Sequence, residues 1–204
     1  MSKKAEQRER TRIALIEQAE ILFGRFGVDG VSLRSIGQAI GSSNTNVVGY
    51  YFGTKESLIR EIFNHREPGI DQRRAELMIE ADKRGLGDDV YTLFHALWWP
   101  TFEQVDEQGR HTYSAFWQAT VLSGRGQVRR DLNQRFGTST ELNNRIRAHV
   151  HLEGAMGEHR VRIAYLAAAN SLSFIDENCA DAELSVKAAM YEDALRVASL
   201  IITA

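Results

Sequence analysis

The chain has 204 residues, 43% of them apolar and 25% charged, with a net charge of −2, which suits one compact unit or a small head joined to a larger body. No apolar run reaches the roughly 18 residues of a membrane span. No signal-peptide core comes after Lys3 and Lys4, and the single Cys179 has no internal disulfide partner, so a cytoplasmic protein is expected.

Charge is uneven. Residues 1–60 hold nine Lys+Arg against six Asp+Glu, and residues 61–204 hold sixteen against twenty-one. A mildly basic head on an acidic body suits a local polyanion contact. Only Pro68 and Pro100 break 204 residues, which favours long helices.

The reading in chain order is helix after helix. Helix 1 is expected from about Arg12 to Phe26, with Thr11 as N-cap. Its apolar face is Ile13, Ile16, Ala19, Leu22, Phe23 and Phe26, and Gly27 comes next as C-cap. Helix 2 is expected over Leu33 to Ile40 behind Ser32. The segment Gly41-Ser42-Ser43 is turn-prone. Helix 3 is expected from about Asn44 to Tyr51, then a stop at Phe52-Gly53-Thr54 and helix 4 from Lys55. Pro68-Gly69 is expected to interrupt or bend the chain, with a further helix over about Ile70 to Arg84. Later helices are expected at about Asp88–Gln108 (broken or kinked near Pro100), His111–Leu122, Arg129–Leu152 (with an interruption at Gly137-Thr138), Met156–Asp176 and Asp181–Ile202. No segment alternates with period two. The expected fold class is therefore all-α, with about nine helices in total.

Two short helices joined by a tight turn behind a longer one form a helix-turn-helix pattern, whose second short helix enters the major groove. The surface of helix 3 and its approach carries Ser43, Asn44, Thr45, Asn46, Gly49 and Tyr50. Asn can pair with an adenine edge, Thr can touch a thymine methyl, and Tyr can reach a phosphate. Lys55 can hold a phosphate beside the free N–H groups of a helix start. Arg34 is placed for a backbone contact. The pattern alone also fits a helical corner with no ligand.

The stretch TRIALIEQAEILFGRFGVDGVSLRSIGQAIG and, after it, NTNVVGYYFGTKESLI resemble the head of the tetracycline-repressor (TetR) family of bacterial regulators. The resemblance rests on Ala19, Leu22-Phe23, Phe26-Gly27, Gly30-Val31-Ser32, Arg34-Ser35-Ile36, Gly41, Tyr50, Phe52, Lys55-Glu56 and Leu58. The rest of the chain matches the family only in length and helical layout. Gly37, Ile40 and Ser42 depart from the common pattern, and Gly41 to Phe52 is one residue longer. Gly37 and Gly49 each weaken a helix by about 1 kcal/mol relative to Ala; the reading is close approach by a neighbouring helix at Gly37 and by DNA at Gly49. The resemblance implies a three-helix helix-turn-helix DNA-binding domain over residues 1–54. It implies a helical ligand-binding and dimerisation domain over residues 55–204. It also implies a homodimer reading a near-palindromic double-stranded operator, either as a repressor released by a ligand or as an activator. A helical protein-interaction module that does not read DNA is the alternative.

Residues 91–117 hold eight of the eighteen aromatics and all three tryptophans. Phe94, Trp98, Trp99, Phe102, Tyr113, Phe116 and Trp117 are the candidate pocket for a small hydrophobic or aromatic effector. Met78, Met156 and Tyr165 are candidate walls, and His95, Gln118 and Asn170 candidate orienting groups. The same rings also suit a plain core or a dimer surface. The last two helices are apolar nearly all round, so both sides should be buried, one against the body and one against a second subunit. Leu166, Leu172, Leu195, Ala198 and Ile202 are the candidate interface residues. On a helix His149 and His151 point apart, and His149 with Glu153 is the better pair; these histidines and His159 are read as solvated. No catalytic motif is present, and no metal or cofactor is implied.

Overall fold

The computed structural model describes residues 2–132 and 135–204 and, at 129 and 130, the backbone alone. The described residues form ten helices and no strand, the expected all-α class. In order these are α1 (Lys3–Phe26), α2 (Leu33–Ala39), α3 (Val47–Phe52), α4 (Lys55–Lys83), α5 (Val90–Phe102), α6 (Thr112–Leu122), α7 (Gly126–Leu132), α8 (Gly137–Ala148), α9 (Gly154–Asn178) and α10 (Leu184–Thr203).

Residues 1–67 with 115–131 make one compact unit, and 68–114 with 132–204 another. In the first, Leu15, Ile16, Ala19 and Phe23 of α1 are fully buried, as are Ile36 of α2 and Leu58, Ile59, Ile62 and Phe63 of α4. Phe116 of α6 completes this core, 6.3 Å from the Phe23 ring and 5.0 Å from the Phe63 ring. Gly24 lets α1 and α6 approach, because a Cβ there would lie 2.9 Å from the Ala115 Cβ. Glu20, fully buried, accepts two hydrogen bonds from the Arg66 guanidinium, from Nε at 2.8 Å and Nη2 at 3.0 Å.

The second unit packs α10 against α9 and α5, and α5 against α8. Buried Phe94, Trp98 and Phe102 of α5, Leu172 and Ile175 of α9, and Tyr191 and Leu195 of α10 are its large core groups.

Several boundaries differ from expectation. Helix α1 begins at Lys3, where the Ser2 hydroxyl accepts from the Ala5 N–H. Thr11 instead lies inside the helix and donates to the Gln7 carbonyl at 3.0 Å. Helix α4 continues through Pro68 to Lys83, since proline removes one hydrogen bond of the ladder while Glu67, Ile70 and Arg74 around it stay buried. Helix α5 stops at Phe102, well short of Gln108. There the Asp106 carboxylate takes the Gln108 and Arg110 N–H groups at 2.9 Å each and folds a turn through Gly109. The stretch expected over Arg129–Leu152 is interrupted, as read, but α7 already starts at Gly126 and α8 starts at Gly137 and stops at Ala148; residues 133 and 134 lie outside the described residues.

Candidate nucleic-acid interface

Helices α2 and α3 form the two short arms of a helix-turn-helix. Ser32 caps α2 in a reciprocal box: its hydroxyl accepts from the Ser35 N–H at 3.0 Å, and the Ser35 hydroxyl accepts from the Ser32 N–H at 3.1 Å. Gly41, at φ +72°, turns the chain after α2. Gly37 meets α3 at close range, because a Cβ there would lie 2.8 Å from Val47 Cγ1. The close helical approach read from the sequence is thus present.

The turn between the arms is longer than expected, and α3 starts at Val47 rather than Asn44. Side chains take the backbone donors that a helix would have used. The Ser42 hydroxyl accepts from the Asn44 N–H at 3.2 Å, and the Asn44 side-chain oxygen accepts from the Asn46 N–H at 2.9 Å. Ser43, Asn44, Thr45 and Asn46 therefore sit on the approach to α3, all exposed. Gly49 is half-buried, and a Cβ there would meet the Asn46 side-chain oxygen. Tyr50 projects from α3 with 64% of its surface exposed, and its ring stands edge-on to Tyr51 at 5.2 Å. Buried Val47, Val48 and Phe52 hold the opposite side of α3 in the unit's core. One side of a six-residue helix is thus anchored, the other offers the Tyr50 phenol, and the exposed short hydrogen-bonding groups lie on the turn that leads into it.

Arg34 is exposed at the start of α2. The Lys55 ammonium donates to the Val28 carbonyl at 2.9 Å, which ties the first turn of α4 to the turn after α1. Thr54 caps α4, its hydroxyl accepting from the Ser57 N–H at 3.1 Å. Arg125 reaches Asp29 at 2.9 Å and Glu56 at 3.6 Å, which braces the same turn.

The seven candidate pocket rings do not all fall in one unit. Phe116 and Trp117 belong to the first, where Phe116 is a core ring. Phe94, Trp98, Trp99, Phe102 and Tyr113 belong to the second. There, Trp98 meets Tyr165 at 5.5 Å, and Phe94 meets Tyr165 at 5.7 Å. Trp99 meets Phe102 at 4.8 Å, and the half-buried His95 ring lies flat on Trp99 at 4.9 Å. Burial pushes the His95 pKa below its ordinary value, against the pull of Glu192 and Glu103. Asn170 and Met156 are exposed. Met156 lines an open cavity of about 290 Å³ with Leu152, Ile163 and Ile201. Gln118 lines another of about 330 Å³, in the first unit, with Phe26, Val28 and Leu122.

Polar groups inside the second unit had no sequence signature. Arg74, buried, donates to the Leu97 carbonyl at 2.9 Å and to the Ser139 hydroxyl at 2.6 Å. Ser139 in turn donates to Asp71 through both its N–H and its hydroxyl at 2.7 Å. The Thr101 hydroxyl donates to the Trp98 carbonyl at 2.6 Å and lies 3.3 Å from the Tyr191 phenol. Burial drives that phenol far above its ordinary pKa, against the pull of the Thr101 hydrogen bond. His111 meets Asp176 through its ring Nδ1 and its backbone N–H, each at 2.7 Å. Most of these partners are distant in sequence, so no local spacing announces them.

Leu172, Leu195, Ala198 and Ile202, expected at an interface between subunits, are fully buried within the single chain, and Leu166 is half-buried. Other apolar groups of α9 and α10 are left exposed, among them Ile163, Phe174, Val197 and Leu200, at 43%, 52%, 53% and 62%, with Met156, Leu184 and Val186 exposed as well. Among the described residues no helix is long and apolar enough to cross a membrane.

No family model matches the chain. Over 77 residues it is 30% identical to the HTH-type transcriptional repressor NicS of Pseudomonas putida, a stretch covering 38% of this chain and 36% of that protein. The chain thus matches about a third of the length of that repressor, and the similarity supports a transcription regulator.

Proposed function

We propose that the chain is a sequence-specific DNA-binding transcriptional regulator of the TetR family, a homodimeric repressor released from a near-palindromic operator by a small hydrophobic molecule. The observation that carries this reading is the anchored α3, with Ser43, Asn44, Thr45, Asn46 and Tyr50 exposed on and before it. The partial similarity to a helix-turn-helix repressor adds support. In this reading residues 1–54 are the DNA-binding domain. Asn44, Thr45 and Asn46 face base edges, and Tyr50, Arg34 and Lys55 face phosphates. Lys55 uses one N–H on Val28 and keeps two for the duplex.

Residues 55–204 then sense and dimerise. The effector enters among Phe94, Trp98, Trp99, Phe102 and Tyr113, an apolar aromatic group. The dimer forms through the faces of α9 and α10 that carry Ile163, Phe174, Val197 and Leu200, giving a four-helix contact. Two recognition helices would then lie one duplex turn apart, about 34–36 Å. The effector acts through its difference in affinity for the DNA-fitting and non-fitting states.

The test is binding of purified protein to a labelled duplex carrying its own upstream intergenic DNA, against scrambled competitor, over several salt concentrations. Specific retention that weakens steeply with salt is expected, because phosphate contacts release counterions. Equal, weak binding to both duplexes at every salt concentration would count against the reading.

A further inference from the structure

The first turns of α1 carry a feature that the helix-turn-helix pattern does not include. Helix α1 starts at Lys3, so residues 3–10 are helical and exposed. The Arg8 guanidinium carbon lies 5.6 Å from the centre of the Tyr50 ring. Tyr50 is the most protruding aromatic of α3. The N-terminal turns of α1 therefore stand beside the groups that α3 presents.

We propose that Lys4 and Arg8 form a second phosphate grip, with Tyr50 as the platform that positions Arg8, and that they extend the contact with duplex DNA beyond α2 and α3. This rests on the DNA-reading function proposed above. Lys4 and Arg8 are four residues apart and share one helix face. Glu6 is two residues from each and points away from both. One turn further, Arg12 is engaged by Glu9 at 3.0 Å and by Glu61. Lys4 and Arg8 have no ion pair among the described residues, so their charge is uncompensated just where the helix passes Tyr50. A guanidinium carbon 5.6 Å from the ring centre lies within cation–π range, and a guanidinium so placed can still meet a phosphate in two parallel hydrogen bonds. An ammonium one turn away adds a point charge for the next phosphate along the strand. These contacts would carry affinity and little sequence preference, since phosphates are alike at every base.

The test uses the full chain and the duplex that wild-type protein selects from a random library. Affinity is measured between 50 and 200 mM KCl for wild type, for Lys4→Ala/Arg8→Ala, and for Arg10→Ala, whose side chain lies off this face. The double variant should select the same sequence. Its slope of log affinity against log salt should be shallower by about 2, close to 0.9 per lost phosphate contact. Arg10→Ala should keep most of the slope. An unchanged slope in the double variant overturns the grip while leaving DNA reading intact. A changed preferred sequence overturns the phosphate assignment, since these residues would then read bases. A wild-type protein that selects no sequence removes both this inference and the function it rests on. All three positions are exposed, and matching circular dichroism and melting curves establish that the variants are folded.

Discussion

The Lys55 ammonium and the Val28 carbonyl are joined by a 2.9 Å hydrogen bond that crosses 27 residues of sequence. It connects the first turn of α4 to the turn through which α1 enters α2. A surface-type residue at a helix start is thereby a structural tie as well as a candidate phosphate contact. Lys55→Met keeps the stem and removes the donor. It should lower stability by about 1.5–3 kcal/mol, the range for a hydrogen bond to a charged group, and weaken duplex binding as well. Urea titration monitored by circular dichroism checks the first effect. An unchanged midpoint would mean that the tie adds nothing.

The Glu20 carboxylate, fully buried, is held by both an Nε and an Nη2 hydrogen bond from Arg66. Removing one partner leaves a charge in the core of the first unit. Arg66→Ala should therefore cost about 3–5 kcal/mol, far more than truncating an exposed arginine such as Arg34. Chemical denaturation of the two variants side by side gives the comparison. Equal small losses would show that the pair is solvated in solution.

His95 predicts a pH dependence. Burial lowers its pKa in the folded chain from the ordinary 6.5, the effects of Glu192 and Glu103 oppose this, and that of Arg73 adds to it. The unfolded imidazole takes up its proton near pH 6.5, while the folded one does so only at lower pH. Between those two values the unfolded state binds more protons, so stability falls as pH falls. Well above pH 6.5 the ring has no effect. His95→Phe keeps the stack on Trp99 and should flatten this part of the profile. Denaturation midpoints from about pH 5.5 to about 7.5, a window that brackets the ordinary histidine range, test it for both proteins. Identical profiles would place the acid sensitivity elsewhere.

On α10, Leu195 and Leu200 separate the core from the exposed face. Leu195 has no exposed surface, whereas Leu200 is 62% exposed. Leu195→Glu should unfold the second unit. Leu200→Glu should leave the helical signal intact and yield monomers in sedimentation. A Leu200→Glu protein that sediments as the wild type would move the interface away from this face.

Much of the head is legible locally. Ser32 before Leu33, with Ile36 one turn on, announces α2, and the capping box is present. The position of Gly37 against α3 is also readable, because a helix tolerates glycine at a cost that close packing explains. The start of α3 is not. Ser42 and Asn44 turn their own side chains onto the backbone, and a reading of apolar spacing does not register that competition. The first turns of α1 escape for a related reason. They carry charge rather than an apolar stripe, so Thr11 reads as the cap although it sits within the helix. In α10 the limit is different. A helix apolar nearly all round does not reveal which leucine faces its own chain, and Leu195 is the inward one. The rings between 91 and 117 read as one cluster, yet Phe116 packs with Phe23 and Phe63 of the first unit. Linear proximity stands in there for spatial proximity.

The central claim is that the surface of α3 and its preceding turn reads DNA sequence. The most direct test is selection of duplexes from a random library by wild-type protein and by Asn44→Ala/Thr45→Ala, with sequencing of the bound pools. One enriched, near-palindromic sequence is expected for the wild type, and loss or relaxation of specific positions in each half for the variant. A wild-type pool as random as the starting library would contradict it.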